Sequence, residues 1–108
     1  MGKKPPKHPP KVTKTLHVES TLTRPRKGAK LKEEVWQTDD GQVVRYSLAS
    51  INHRICGVDN GRVLGYDNSH NYHHRHFMGA VEPVEFDSYD ALSERFYAEV
   101  DELRKERK

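Results

Sequence analysis

The chain has 108 residues, of which 33% are hydrophobic and 32% are charged, and its formal net charge is +3. This length fits one domain with a modest core, so a large buried cofactor site is not favoured and no cofactor is expected. No apolar run approaches the roughly 20 residues that span a bilayer, and no secretory signal or membrane association is expected. A single cysteine, Cys56, excludes an internal disulfide, which is typical of a cytoplasmic protein.

The charge is distributed unevenly along the chain. Residues 1–32 contain ten Lys or Arg and one Glu, whereas residues 33–108 contain nine Lys or Arg and fifteen acidic residues. A basic N-terminal part on an acidic body indicates contact with a polyanion or with an acidic partner, although a solubilising tail has the same composition. Residues 1–11 are almost all Lys and Pro and predict a disordered basic arm. We expect residues 12–108 to form a single α+β domain.

The first half of this domain has the pattern of strands. Residues 12–23 alternate between apolar and polar side chains, which predicts a half-buried strand. A basic loop at 24–30 and a second strand at about 31–38 follow. Residues 42–58 form a long extended stretch, in which the apolar phase shifts near Ser50 and predicts a bulge.

The second half contains turn signals, short strands and a loop. Residues 59–62, with the sequence Asp-Asn-Gly-Arg, predict a tight hairpin turn because Asn and Gly tolerate positive φ. Residues 63–66 are the expected return strand, and residues 67–80 form a histidine-rich loop. A last short strand at 81–86 contains a proline, which indicates an edge position.

The C-terminal segment is the clearest helix in the chain. Asp87 or Ser88 can cap its N-terminus. Apolar residues recur at spacings of three and four and form one stripe, which consists of Tyr89, Leu92, Phe96, Val100 and Leu103. We therefore predict an α+β fold, with an antiparallel sheet of about four to five strands and one C-terminal amphipathic helix packed on it.

Four of the seven histidines lie within seven residues, in the segment His70–His76. They closely follow Gly65-Tyr66-Asp67-Asn68, at the end of a predicted strand. Histidine exchanges protons or binds metals near neutral pH, and functional residues often lie on loops that a rigid scaffold anchors. This segment is therefore the candidate functional site.

Metal binding is one interpretation of the cluster. His70, His73, His74 and His76, together with Asp67, supply the nitrogen and oxygen ligands that zinc accepts. Their spacing matches no helical zinc motif and no cysteine supports it, so these residues are secondary candidates and no metal is assigned.

Phosphodiester cleavage without a metal is the second interpretation. Two histidines can share general base and general acid catalysis, and an arginine can stabilise the negative charge of the transition state. His74 and His76 point alike on an extended segment, whereas Arg75 between them points the same way only if the segment is irregular. In RNA, the ribose 2′-hydroxyl supplies the nucleophile.

Two further interpretations involve no catalysis. Tyr66, Tyr72, Phe77 and the histidines could stack on unpaired bases while basic side chains contact phosphates. Alternatively, the segment is a polar surface loop whose histidines hydrogen-bond to the backbone.

Three features outside the cluster have structural interpretations. Trp36 is interpreted as a core residue or an edge anchor. Asp59 and Arg62 flank the turn and can pair across it, with little effect on stability. Cys56, in an apolar setting, is expected to be an inert thiol.

The motifs together resemble a known family. Val63–Asn68, the His-rich segment ending in His74-Arg75-His76, the segment Glu82–Phe86 and the amphipathic helix are similar to the TumE-like family of small bacterial toxins from toxin–antitoxin pairs. The resemblance extends from about Val12 to Leu103. It implies a toxin that acts on the cell's own RNA or translation, and a partner antitoxin with a helix-turn-helix. The extra histidines His70 and His73 and the Lys/Pro-rich arm depart from the family pattern.

We therefore expect a cytoplasmic toxin that acts as a ribonuclease, with His74 and His76 as the acid/base pair. Arg75 would stabilise negative charge, and Asp67 would orient a histidine or adjust its pKa. The alternative is a non-catalytic module that binds nucleic acid or a partner protein, and whether the chain forms a homodimer stays open. The residues expected to bind RNA are Lys14, Arg24, Arg26, Lys27, Lys30 and Tyr72.

Overall fold

The computed structural model describes residues 11–22 and 29–106. In these ranges the elements are β1 (Val12–Leu22), β2 (Ala29–Thr38), β3 (Val43–Ile51), β4 (Arg62–Asp67), β5 (His74–Phe77), β6 (Ala80–Pro83) and α1 (Tyr89–Glu106). Each strand pairs antiparallel with its neighbours in the chain, and they form one sheet in the order β1-β2-β3-β4-β5-β6. The α+β class and the C-terminal helix are confirmed.

The predicted count of four to five strands is wrong, because the described residues contain six. The additional strand is β5, which lies inside the segment that was predicted to be a histidine loop. Its sequence His-Arg-His-Phe lacks the apolar alternation of a half-buried strand, so hydropathy could not identify it. The edge position expected for Pro83 is confirmed, because β6 is the last strand of the sheet.

The long extended stretch ends earlier than predicted. β3 ends at Ile51, and the register between β3 and β4 shifts between Ser50 and Ile51, which confirms the irregularity expected there. Asn52 ends the strand because its carbonyl accepts hydrogen bonds from the amides of Ile55 and Cys56, and because its side chain accepts one from the amide of Arg54. A local network of this kind competes with strand pairing.

The connection from β3 to β4 therefore spans residues 52–61 rather than two residues. Its last part is a short turn at Asp59–Gly61, in which the φ angles of Asp59, Asn60 and Gly61 are 51°, 54° and 80°. The Asn-Gly signal thus marks left-handed backbone, as expected, but it ends a longer loop and does not form a tight hairpin.

The core lies between α1 and one face of the sheet. Ser88 caps the helix, since its Oγ accepts a hydrogen bond from the amide of Ala91 at 3.1 Å. The predicted apolar stripe of α1 faces the sheet, with Tyr89 and Leu103 at the margin of the core. The buried cluster consists of Val35, Tyr46, Leu48, Leu64, Tyr66, Leu92, Phe96 and Val100.

Polar contacts also attach α1 to the sheet. The hydroxyls of Tyr89 and Tyr97 both donate to the buried carboxylate of Glu33, from Tyr97 at 2.7 Å. Nearby, the Tyr66 hydroxyl donates to Glu99, and burial raises the pKa of Tyr66 to about 12, so this hydroxyl remains a donor. Buried polar groups need such partners, and these contacts fix the position of the helix on the sheet.

We call the sheet face opposite α1 the open face. Side chains alternate along a strand, so the neighbours of the core residues point to this face. Gly65 and Asp67 on β4 and His74 and His76 on β5 belong to it. α1 packs mainly on β3 and β4, and β1, which was predicted to be half-buried, is mostly exposed apart from Leu16 at the edge of the core.

Replacement of Phe96 by Ala tests this description of the core. Phe96 is fully buried and meets Tyr66 edge to face. The substitution removes a large aromatic side chain and leaves a cavity, so the free energy of unfolding is expected to fall by about 3–5 kcal/mol in urea denaturation. The exposed Glu94→Ala on the same helix serves as the control and is expected to change it by less than about 0.5 kcal/mol. Equal effects of the two substitutions would contradict the packing described.

Candidate functional site

Cross-strand pairing brings the predicted acid and two of the histidines together on the open face. In the β4–β5 ladder, Asp67 is directly opposite His74, and Gly65 is opposite His76. His74 and His76 are two residues apart on a regular strand, so their imidazoles point to the same side. The predicted grouping of Asp67, His74 and His76 thus occurs, although on paired strands rather than on a loop.

The carboxylate of Asp67 lies between the two imidazoles. Its Oδ1 is 2.8 Å from Nε2 of His74, and its Oδ2 is 3.1 Å from Nε2 of His76. Oδ1 also accepts hydrogen bonds from the amide of Ser69 at 3.1 Å and from its hydroxyl at 2.7 Å. Burial alone would raise the pKa of Asp67, but Ser69 and the two histidines hold this pKa below its usual value. Asp67 is therefore a buried carboxylate that stays ionised.

Hydrogen bonds define the protonation of His74. Its Nδ1 is 3.0 Å from the carbonyl oxygen of Tyr72, and a carbonyl only accepts, so Nδ1 carries a proton. Its Nε2 faces the ionised carboxylate of Asp67, which also only accepts. A proton on each nitrogen satisfies both contacts, and this makes His74 an imidazolium. His74 is only 2% exposed, and the ring of Tyr72 packs over it at a centroid distance of 4.5 Å.

The surroundings of His76 favour the opposite charge state. Its Nδ1 lies 3.2 Å from Nη2 of Arg62, and a guanidinium only donates, so Nδ1 presents a lone pair. The proton of the neutral ring is then on Nε2, where it is donated to Asp67. Burial and, next, the charge of Arg62 lower the pKa of His76, against the opposing effect of Asp67 and Asp59. His76 is thus a neutral imidazole that is held by a carboxylate, with its other nitrogen next to a cation.

Arg62 is the site residue that the sequence interpretation missed. Its guanidinium binds Asp59 through Nε and Nη2, at 2.9 and 3.0 Å, and also reaches Oδ2 of Asp67 at 3.3 Å. The expected pairing with Asp59 is confirmed, but the pair belongs to the site rather than to a separate surface turn. To reach Asp67, the side chain crosses Gly65, where an added Cβ would lie 2.6 Å from Cδ of Arg62. A glycine inside a predicted strand was the available signal, since it often marks such a close approach.

Arg75 does not join the histidines. β5 is a regular strand, so Arg75 points to the opposite face, where its guanidinium donates to Glu99 at 2.6 Å and to Glu82 at 3.2 Å. The irregular loop that would have brought Arg75 into the site is not present in this segment. Its contacts attach β5 to α1, and the cation next to the histidines is instead Arg62.

The other residues predicted to bind RNA or a metal lie at the margin of the site, away from it, or outside the described residues. Tyr72 lies against His74 and is 43% exposed, at the margin of the site. His73 stacks on Phe86 at 4.0 Å, and its Nδ1 is 2.7 Å from the Tyr46 hydroxyl, so it packs with aromatic residues away from Asp67. The exposed Lys14 and Lys30 lie on β1 and β2. Arg24, Arg26 and Lys27 lie outside the described residues, as do residues 1–10 of the predicted arm.

Comparison with known proteins identifies the family. The model of the family described as Toxin TumE matches residues 28–104, which include β2 to β6 and most of α1. The chain belongs to the TumE toxin family. Membership implies a toxin role and an antitoxin partner. No curated protein and no solved structure matches the chain. In the part of the chain that the structure describes, no helix is both long and apolar enough to cross a membrane.

The same three side chains in this TumE-family protein could also hold a metal ion. One ligand atom each from Asp67, His74 and His76 lie within 4.8 Å of one another, and His74 donates its other N–H to a carbonyl, as metal-binding histidines commonly do. Two imidazoles and a carboxylate suit zinc or another divalent transition metal. Arg62 opposes this use because its positive charge lies 3.3 Å from Oδ2 of Asp67. His70 and His73, the other predicted ligands, are not part of this group.

The segment before β5 has unusual backbone geometry. His70 and Asn71 have φ angles of 61° and 66°, in the left-handed region that favours glycine. Two such residues in succession store strain, and strain of this kind concentrates at functional sites. They lead directly into Tyr72, the residue that covers His74.

The Arg62→Gln substitution tests the electrostatics of the site. The charge of Arg62 contributes to the low pKa of His76, so its removal is expected to raise this pKa. The histidine ring protons report the value in an NMR titration. Arg54→Gln, at an exposed position in the preceding loop, is the control that should leave the pKa of His76 unchanged. An unchanged or lower pKa in the Arg62 variant would contradict the arrangement.

Proposed function

We propose that this TumE-family toxin cleaves single-stranded RNA without a metal ion, with His76 as general base and His74 as general acid. The observation that carries the proposal is that the carboxylate of Asp67 contacts both imidazoles, while the other nitrogen of His74 faces a carbonyl and that of His76 faces a guanidinium. Asp67 holds a neutral imidazole on one side and, by its hydrogen bonds, an imidazolium on the other. Titratable groups with different charge states in one site indicate a division into acid and base.

The chemistry follows from these positions. The guanidinium of Arg62 turns from Nδ1 of His76 to the phosphate when RNA binds. Nδ1 then takes the proton of a ribose 2′-hydroxyl, and the oxygen attacks the adjacent phosphorus while the bond to the 5′-oxygen breaks. His74 gives a proton to this leaving oxygen, and the products are a 2′,3′-cyclic phosphate and a 5′-hydroxyl. Arg62, next to Nδ1 of His76, stabilises the negative charge that develops on the phosphoryl oxygens. This is the role that was predicted for Arg75.

Access to His74 requires Tyr72 to move. The Tyr72 ring covers the imidazole, and the residues before it are strained. We propose that binding of RNA displaces this ring, which then stacks on a base next to the cleaved bond. Stacking on an aromatic side chain is the usual way in which proteins hold unpaired bases.

Cleavage of a defined single-stranded RNA in the presence of EDTA tests the proposal. The parent is expected to produce 2′,3′-cyclic phosphate ends, and His76→Asn to reduce kcat by about 10²- to 10⁴-fold, which is the usual contribution of a general base. His17→Asn, an exposed histidine on β1, is the control and should retain activity. Thermal melts of both variants check that the fold is retained.

The other outcomes of this experiment separate the alternatives. Activity that EDTA abolishes and zinc or manganese restores would favour a metal held by Asp67, His74 and His76. Tight, salt-sensitive binding of RNA by the parent without any cleavage would favour the non-catalytic module. Cleavage in which His76→Asn equals the parent would refute the assignment of the base.

The pH dependence gives an independent test. Because His76 must be neutral to accept a proton, kcat/KM should fall as the pH decreases through its pKa. Burial and Arg62 lower this pKa, so the fall is expected below 6.5, the usual value for histidine. In Arg62→Lys, which retains a cation, the fall should stay below 6.5, whereas in Arg62→Gln it should move to higher pH. A fall centred above 6.5 in the parent would contradict the proposed base.

The partner of such a toxin is an antitoxin, and we propose that it is the helix-turn-helix protein typical of this kind of pair. The charge distribution supports an RNA target, because the basic N-terminal part can contact phosphates. Self-association as a homodimer is a further proposal, which sedimentation of the purified chain would test.

A further inference from the structure

Trp36, the single tryptophan of the chain, lies outside the core. Its neighbour Val35 faces α1, so Trp36 points to the open face and is half-buried there. This position corrects the interpretation of Trp36 as a core residue. Its ring lies between two cations, with Lys14 Nζ at 4.9 Å and Arg45 Cζ at 4.8 Å from the ring centroid. We call these three residues the Trp36 stack.

The Trp36 stack is close to the candidate site on the same face. Trp36 is directly opposite Arg45 in the β2–β3 ladder, and Ser47 is directly opposite Asp67 in the β3–β4 ladder. Arg45 and Ser47 are two residues apart on β3, a separation of about 7 Å along the strand. Arg45 therefore lies one strand away from Asp67 and Trp36 two strands away, both about 7 Å further along the sheet.

The charges of the stack leave one cation available. Lys14 pairs with Glu34, which also contacts Lys32, so this carboxylate is neutralised within the sheet. The guanidinium of Arg45 contacts the ring of Trp36 and has no acidic partner among the described residues. An exposed arginine that is held against an aromatic ring offers a positioned cation for a phosphate.

We propose that the Trp36 stack is a nucleotide subsite, which binds a nucleotide of single-stranded RNA on one side of the cleaved bond. Arg45 contacts its phosphate, and its base stacks against the indole of Trp36 in place of the Lys14 ammonium, which retains Glu34 as a partner. Aromatic rings accept any base in this way, so the subsite contributes affinity without sequence preference. The proposal rests on the proposed function, since it extends the RNA path from the site of cleavage.

The helix side of the sheet offers a matched control. Arg95 also lies over an aromatic ring, with Cζ 5.5 Å from the ring centroid of Tyr66, and it is exposed. It differs from Arg45 because it pairs with Glu99 and is on the face opposite the candidate site. Arg95→Ala removes a comparable cation–π contact without touching the proposed RNA path.

Tryptophan fluorescence tests the subsite directly, because Trp36 is the only source of the indole signal. The inactive full-length His76→Asn variant is titrated with a short single-stranded RNA, and a base stacked on the indole is expected to quench the emission. In parallel, the anisotropy of a labelled RNA reports affinity. Trp36→Leu is expected to weaken binding by roughly 5- to 100-fold, the usual range for loss of one base–aromatic stack. Trp36→Phe, which keeps an aromatic ring, should restore part of the affinity.

The salt dependence of RNA binding distinguishes a phosphate contact by Arg45 from base stacking by Trp36. Loss of one phosphate contact should reduce the slope of log Kd against log salt by about 0.7 in Arg45→Ala. Arg95→Ala should leave both the affinity and the slope unchanged. Duplex RNA, whose bases are not free to stack, should not quench the emission.

The outcomes distinguish this inference from the proposed function. If RNA binds and is cleaved by the parent, but Trp36→Leu and Arg45→Ala bind as the parent does and the emission does not change, the subsite is refuted and the cleavage stands. If the emission is quenched and both variants bind weakly, while the parent cleaves nothing, the subsite stands and the catalytic proposal fails. Absence of RNA binding by the parent refutes both. Trp36→Phe and the thermal melts exclude misfolding as the reason for weak binding.

Discussion

The buried carboxylate of Asp67 is the constraint on which the open face depends. An ionised carboxylate away from water is strongly unfavourable unless charges and hydrogen bonds compensate it. Here Ser69 supplies two hydrogen bonds, and His74 and His76 each supply one nitrogen. Every one of these partners is positioned by the β4–β5 pairing or by the turn that joins the two strands. The sheet therefore fixes the geometry of the site before any ligand is present.

Because side chains alternate along β5, two of its four residues face the candidate site and two face the helix. His74 and His76 face Asp67, whereas Arg75 and Phe77 face α1. Arg75 and Tyr66 both contact Glu99 of the helix, so the strand that carries the histidines is attached to α1 from behind. A site on a rigid strand has less freedom than one on a loop, and a small error in position is costly for catalysis.

Sequence patterns predicted the fold class and the helix well because both depend on local periodicity. The stripe on α1 and the cap at Ser88 are short-range features, and the structure confirms them. β5 was missed because the buried side chains of His74 and His76 are polar and are held by cross-strand contacts rather than by hydrophobicity. Pairing partners are distant in sequence, and a single chain does not reveal them.

The dependence on distant pairing partners also explains which residues of the candidate site could be predicted. Residue types and the two-residue spacing sufficed to group His74 with His76, and to place Asp67 nearby. The cation could not be assigned, because Arg75 is adjacent to the histidines in sequence while Arg62 reaches them in space. Arg62 can reach the histidines only because β4 pairs with β5 in this register and because Gly65 has no side chain to block the guanidinium.

The position of Arg62 also bears on the two uses proposed for the site. A divalent ion and a guanidinium at this distance from one carboxylate would repel each other in a partly buried setting, where charges are poorly screened. A phosphate, in contrast, gains from Arg62 and does not need to displace it. Since Nδ1 of His76 lies next to the same guanidinium, an anion bound there would be in contact with the proposed base. The guanidinium of Arg62 therefore favours an anionic substrate, against the opposing charges of Asp59 and Asp67.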